Sequence, residues 1–134
     1  MKKILSIILA FACIFCIVSC GEGDNKISPS SASTFEEVCE ILESNAETFT
    51  ICDEAEIDKF EKFFSGGYND YSDSMYAMCY AKMSDGKYVR CIDMLYDIDA
   101  EIFNRTYASN YDYIVYRGTI VIFGTSSFIE EFKA

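Results

Sequence analysis

The stretch Met75-Tyr76-Ala77-Met78-Cys79-Tyr80-Ala81-Lys82-Met83-Ser84-Asp85-Gly86-Lys87-Tyr88-Val89-Arg90-Cys91-Ile92-Asp93-Met94 decides the fold. Two alternating runs, Met75 to Met83 and Lys87 to Met94, flank Ser84-Asp85-Gly86, a hairpin signal. Loop length sets the register, and the register sets the face on which every side chain stands. A two-residue Asp-Gly loop pairs Lys82 with Val89 and Ala81 with Arg90, which mixes charge with small apolar residues and sends Cys79 and Cys91 to opposite faces. A three-residue loop with Gly86 in the left-handed region pairs Met83 with Lys87, Ala81 with Val89 and Cys79 with Cys91. One face then carries Met75, Ala77, Cys79, Ala81, Val89 and Cys91, and the other carries Tyr76, Tyr80, Lys82, Tyr88 and Arg90. The second register separates the two chemistries and is the one expected.

That register makes Cys79 and Cys91 the candidate pair for a cross-strand disulfide in an oxidising compartment. The competing expectation is two reduced, buried thiols, because cross-strand bridges are strained. Cys39 with Cys52 is a weaker pairing, since a helix running to about Thr48 carries the chain ~14 Å away. With no histidine in the chain and no Cys-x-x-Cys pair among Cys39, Cys52, Cys79 and Cys91, these four thiols carry no metal-site signature.

Working outward, Asp97 or Asp99 can cap a short helix through Ala100, Ile102 and Phe103. Asp93, Asp97, Asp99 and Glu101 lack the glycine and distal glutamate of a calcium loop, and acids at a helix start favour the macrodipole without any ligand. Tyr113-Ile114-Val115-Tyr116 and Thr119-Ile120-Val121-Ile122-Phe123 join through Arg117-Gly118 as a second hairpin, apolar on both faces and so expected at the sheet's centre. Phe128, Ile129 and Phe132 begin a terminal helix. Upstream, Thr34 with Glu37 forms a capping box ahead of Phe35, Val38, Cys39, Leu42, Ala46 and Phe49 at helical spacing. Asp53 with Glu56 opens a second helix bearing Ile57, Phe60, Phe63 and Phe64, which Gly66-Gly67 ends before a polar loop from Tyr68 to Asp73. The expected class is therefore α+β: a mainly antiparallel four-stranded sheet of two hairpins with helices packed on one face. A cone similar to the nuclear-transport-factor-2 superfamily is the alternative layout.

The N-terminus supplies an address. Met1-Lys2-Lys3 is positive and Ile4 to Val18 is uncharged, which is the form of a signal peptide. As a helix that run rises only about 22 Å, short of the ~30 Å hydrocarbon core. It ends at Ile17-Val18-Ser19-Cys20, which resembles the bacterial lipobox: an aliphatic residue at minus three, a small residue at minus one, then cysteine. Cys13 leaves too short an apolar run and Cys16 follows the bulky Phe15, so Cys20 is the matching site. The resemblance implies a thioether lipid on Cys20, which becomes the mature N-terminus, with the protein extracytoplasmic at the cell membrane or cell surface. Two acyl chains give stable attachment where one is marginal, at about 0.8 kcal/mol per buried methylene. Residues 1–19 are thus read as signal peptide, 20–33 as lipidated N-terminus and flexible tether, and 34–134 as one domain. The latter half, from about residue 75, also looks like small uncharacterised bacterial lipoprotein domains, a likeness that brings no catalytic residues with it.

Charge and composition narrow the function classes. Lys2 and Lys3 leave with the signal peptide, so the formal charge moves from −11 to −13, a surface that disfavours nucleic acid as a partner. Without histidine the commonest general base is absent. No glycine-rich phosphate loop is present, and no cofactor is expected. The ten tyrosines all lie between Tyr68 and Tyr116, and rings with polar tips suit protein or glycan contact. The reading is a membrane-anchored, non-enzymatic binding or accessory domain that uses a Tyr76, Tyr80, Tyr88 face toward an envelope protein or glycan. An acidic inhibitor of a cationic enzyme and a hydrolase using two carboxylates are the alternatives. Replacing Cys20 with alanine is expected to abolish partitioning into the membrane fraction, and a mutant that still partitions would contradict the lipobox reading.

Overall fold

The computed structural model describes residues 26–65 and 73–133. The lipobox, Cys20, the start of the tether, Gly66-Gly67 and the loop as far as Ser72 lie outside the described residues. The elements are a short 3-10 turn Pro29–Ser31, α1 Phe35–Asn45, β1 Thr48–Ile51, α2 Glu54–Phe64, β2 Met75–Lys82, β3 Tyr88–Met94, α3 Asp97–Tyr107, β4 Tyr113–Arg117, β5 Ile120–Gly124 and a 3-10 helix Ser127–Phe132. The strands form one antiparallel sheet in the order β1-β2-β3-β5-β4.

Both capping boxes form. Thr34 accepts from the Glu37 amide while Glu37 accepts from the Thr34 amide, and Asp53 and Glu56 exchange the same two bonds. The Glu37 carboxyl is held below the usual carboxylate range, chiefly by the Ser33 amide at 2.6 Å. At α3 the cap is Tyr96, with no side-chain bond, rather than Asp97 or Asp99. The two aspartates occupy the first turn instead, where they face the positive end of the helix dipole.

The sheet has five strands, not four. Thr48-Phe49-Thr50-Ile51 had the helical spacing of α1 behind it, but α1 ends at Asn45 and these residues pair antiparallel with β2. Alternating β-branched residues suit a pleated edge better than a helix. The sheet's centre is also not the closing hairpin: β3 is central and β4 is an edge.

The helices divide between both faces, unlike the single covered face expected. On one side α1 and the two 3-10 elements cover Ala77, Cys79, Ala81, Val89, Cys91, Ile120 and Ile122. On the other, α2 and α3 cover Met78, Ile92, Val121 and Phe123. The α2–α3 side is aromatic: Phe64 meets Phe103 and Tyr107 at centroid distances of 5.1 and 4.7 Å, and the Tyr107 hydroxyl donates to the Phe64 carbonyl at 3.1 Å. This division follows from the alternation, since β2, β3 and β5 place apolar residues on both faces and each set needs a cover.

Docking begins ahead of Thr34. Ala32 is buried and its carbonyl accepts from Arg117 at 2.7 Å, while the same guanidinium donates to the Phe132 carbonyl at 3.0 Å. One edge-strand arginine therefore ties both ends of the described chain together. Where α2 leads toward β2, buried Glu61 accepts from the Asp73 amide at 2.7 Å.

The expected hairpin register forms. Cys79 stands across from Cys91 and Ala81 across from Val89, Met83 donates to Lys87 at 2.8 Å, and Gly86 has φ +81°. A bulge between Met75 and Ala77 alters the end of it. At Gly124, φ is +151° and a Cβ would come 2.3 Å from the Tyr88 carbonyl oxygen, which accepts from the Thr125 and Ser126 amides. Gly124→Ala is expected to lower stability by about 2–4 kcal/mol, combining backbone strain with overpacking, read as a fall in the urea midpoint at unchanged slope. Gly86→Ala, where nothing lies within 4 Å, is expected to cost less.

Candidate functional site

A groove of about 620 Å³ opens between α2 and the outer half of the sheet. Its helix wall is built by spacing: Glu56, Lys59, Phe60 and Phe63 fall at i, i+3, i+4 and i+7 from the capped start of α2 and share one face. The adjoining face of α2 carries Ile57 and Phe64 into the aromatic core, so the helix is anchored while this wall stays open. The sheet wall comes from Thr50 of β1, the following Cys52, Met78 and Tyr80 of β2, and Arg90 of β3.

Arg90 organises the groove. Its Cζ lies 4.8 Å from the Phe60 ring centroid and 5.2 Å from that of Tyr80, so the guanidinium is held by two aromatic faces. Cation–π contacts of this kind are worth about 0.5–2 kcal/mol each, depending on desolvation. Nη1 reaches the Met78 Sδ at 3.9 Å, a weak acceptor, and no carboxylate among the described residues forms a salt bridge with Arg90. The two rings hold the cation at the groove wall by attraction to its charge. At the rim Phe63 is 81% exposed, a large apolar cost for a side chain without a covering group.

The other groups are less reactive. The Cys52 thiol is pushed up to about 11 by burial, reinforced by the Glu56 charge. Glu56 already accepts from the Asp53 amide at 3.0 Å. Burial raises the carboxyls of Glu61 and Asp93, but neither lines the groove; Asp93 instead accepts from the Thr119 hydroxyl at 2.7 Å. No group of three or more potential metal ligands occurs among the described residues.

The comparisons with known proteins return nothing. No family model, curated protein or solved structure matches the chain.

The expected tyrosine face divides. Tyr80 and Tyr88 stack with centroids 5.8 Å apart and planes 21° from parallel, and Tyr80 lines the groove. Tyr76 packs instead against the core on the α1 side. The bulge beside it is the reason, because one unpaired residue reverses the alternation: Met75 joins the α2 side and Tyr76 leaves it. Sequence reasoning assigned no site role to Phe60, Phe63, Lys59 or Arg90. The signal was there, since the favoured register already set Arg90 opposite Tyr80 and the spacing of α2 aligned its aromatics, but nothing in the sequence joined the helix to that strand.

Cys79 and Cys91 do face each other, fully buried, and all four described cysteines are free thiols. Cys39 joins them, with the Cys79 sulfur in hydrogen-bond contact with both neighbours. Burial pushes the Cys39 and Cys91 thiols up. Burial opposes charge on Cys79 as well, while the bonds from Cys39 and Cys91 act to lower that group. Cys52 lies in the opposite core and cannot reach Cys39.

In the native state Cys52 is expected to be the first of the four domain thiols labelled by iodoacetamide. Its rate should climb about tenfold per pH unit from pH 8 to 10 without levelling, as the thiolate fraction dictates. Levelling near pH 9 in peptide-mapped labelling would contradict the raised pKa.

Proposed function

We propose that the chain is a membrane-tethered, extracytoplasmic binding domain that uses the α2–sheet groove to hold an acidic, apolar-flanked segment of an envelope protein. The observation that carries this reading is Arg90, its Cζ over the rings of Phe60 and Tyr80 in an open groove, with no carboxylate partner among the described residues. A planar guanidinium presents the fork that a carboxylate accepts in two parallel bonds, and partial desolvation strengthens both.

The surroundings support the same partner chemistry. In a chain of net charge −11, the groove gathers Lys59 and Arg90 against a single carboxylate, Glu56, which is committed to its helix cap. Phe63 at the rim and Phe60 within give the flanking apolar residues a surface to cover. Aromatic residues and arginine are the side chains that dominate binding energy at protein interfaces. The acidic remainder of the surface keeps a tethered domain soluble and repels misplaced acidic partners, so attraction is confined to the groove.

The two carboxyls raised by burial, Glu61 and Asp93, lie outside the groove and accept internal hydrogen bonds. That arrangement favours binding over a two-carboxylate hydrolase, which needs both acids in one cleft.

A photoreactive residue placed at Phe63 in the lipidated protein is expected to give a discrete crosslinked adduct in native cells, whereas one at Tyr116, on the far edge strand, is not. Arg90→Glu should reduce the Phe63 adduct at least tenfold while leaving folding and membrane partitioning intact. An adduct of undiminished yield in Arg90→Glu would overturn the reading.

A further inference from the structure

We infer that Cys39 and Cys79 are joined by a disulfide in the mature protein, tying α1 to the sheet, while Cys91 remains a thiol. This shares with the proposed function only the exported, oxidising location, and it concerns the opposite face of the sheet.

Three cysteines meet beneath α1, each fully buried in the same cluster. Cys79 is the middle member, in contact with Cys39 above it and Cys91 beside it. It can bond to one of them, and strand geometry decides which. Met83 and Lys87 close the hairpin with a backbone bond at 2.8 Å, and every second pair after them is of the same hydrogen-bonded kind. Cys79 and Cys91 are such a pair. Their Cβ atoms are therefore held near the wide end of the cross-strand range, about 5.5 Å, where a disulfide requires roughly 3.5–4.5 Å.

Neither strand can move to close that gap. Cys79 is flanked on its other side by Ile51 of β1, and Cys91 by Ile122 of β5, so both backbones are pinned between neighbours. Helix α1 is not pinned in this way. It meets the sheet through the side chains of Phe35, Val38, Cys39, Ile41 and Leu42 rather than through a backbone ladder, so no strand pairing fixes the Cys39–Cys79 separation. Cys52, in the opposite core, is excluded from the exchange.

The step balances with a disulfide as oxidant. A thiol–disulfide oxidoreductase of the exported compartment, or glutathione disulfide, is attacked by one of the two thiolates to form a mixed disulfide. The second thiolate attacks that bond, forming the Cys39–Cys79 bond and releasing the reagent as two thiols; the two cysteine protons end on the reduced reagent or solvent. Because both sulfurs are inaccessible once α1 has docked, the bond forms during folding and is then shielded from reductants.

The test is thiol trapping of the full chain from its native envelope. The protein is denatured in N-ethylmaleimide without reductant, digested and mapped; a second sample of it is reduced, unfolded and refolded in a glutathione redox buffer before mapping. The expected result in both arms is a linked peptide pair containing Cys39 and Cys79, with Cys52 and Cys91 alkylated. Cys91→Ala should keep the link and a reductant-sensitive unfolding midpoint, and Cys39→Ala should lose both. A Cys79–Cys91 link, or alkylated Cys39 in the refolded arm, overturns the inference. Absence of the chain from the envelope overturns the exported location instead, and the refolding arm then decides the bridge alone.

Discussion

The pairing of β2 with β3 is the constraint on which the rest of the structure depends. Gly86 at φ +81° lets the chain turn in three residues, and that count sends Ala77, Cys79, Ala81, Val89 and Cys91 one way and Met78, Tyr80, Arg90 and Ile92 the other. A slip of one residue would turn one strand over relative to the other, setting Arg90 across from Ala81 and sending Cys79 and Cys91 to opposite faces. The thiol trio and the arginine groove are thus two consequences of a single register.

The two faces then develop different chemistry. Small residues on the α1 side let a helix approach closely, and its thiols fill what a larger side chain would overfill. On the α2–α3 side the gaps between helices and sheet are filled by rings: Phe60, Phe64, Phe103, Tyr107, Tyr111 and Phe123 form a connected set. Arg90 sits at the outer margin of that set, where the apolar packing of Phe60 and Tyr80 ends and solvent begins. A cation at such a margin is attracted to the ring faces while remaining next to solvent.

What could be read in advance followed short-range physics. Both capping boxes, the Gly86 turn and the Gly118 turn are decided by residues within about four positions of each other, and all form as expected. Thr48–Ile51 was misassigned because Phe49 continues the apolar period of α1, while the strand depends on β2, some 30 residues on. The division of helices between faces also depends on distant pairing, since an apolar strand says that both sides are covered without saying by which helix. Tyr76 was placed wrongly for a narrower reason. Its bulge leaves no mark in an alternating sequence, yet it moves the side chain to the other core. The groove was illegible for the same reason as the sheet order: its two walls are adjacent only after folding.

The measurement that bears most directly on this account is the pattern of cross-strand Hα–Hα contacts in the nuclear Overhauser spectrum of the folded chain. Such contacts are short only between residues of non-hydrogen-bonded antiparallel pairs. The account predicts strong Hα contacts between Tyr80 and Arg90 and between Lys82 and Tyr88. Contacts pairing Met83 with Tyr88 or Ala81 with Arg90 would mean a two-residue loop, and both the groove and the thiol trio would lose their basis.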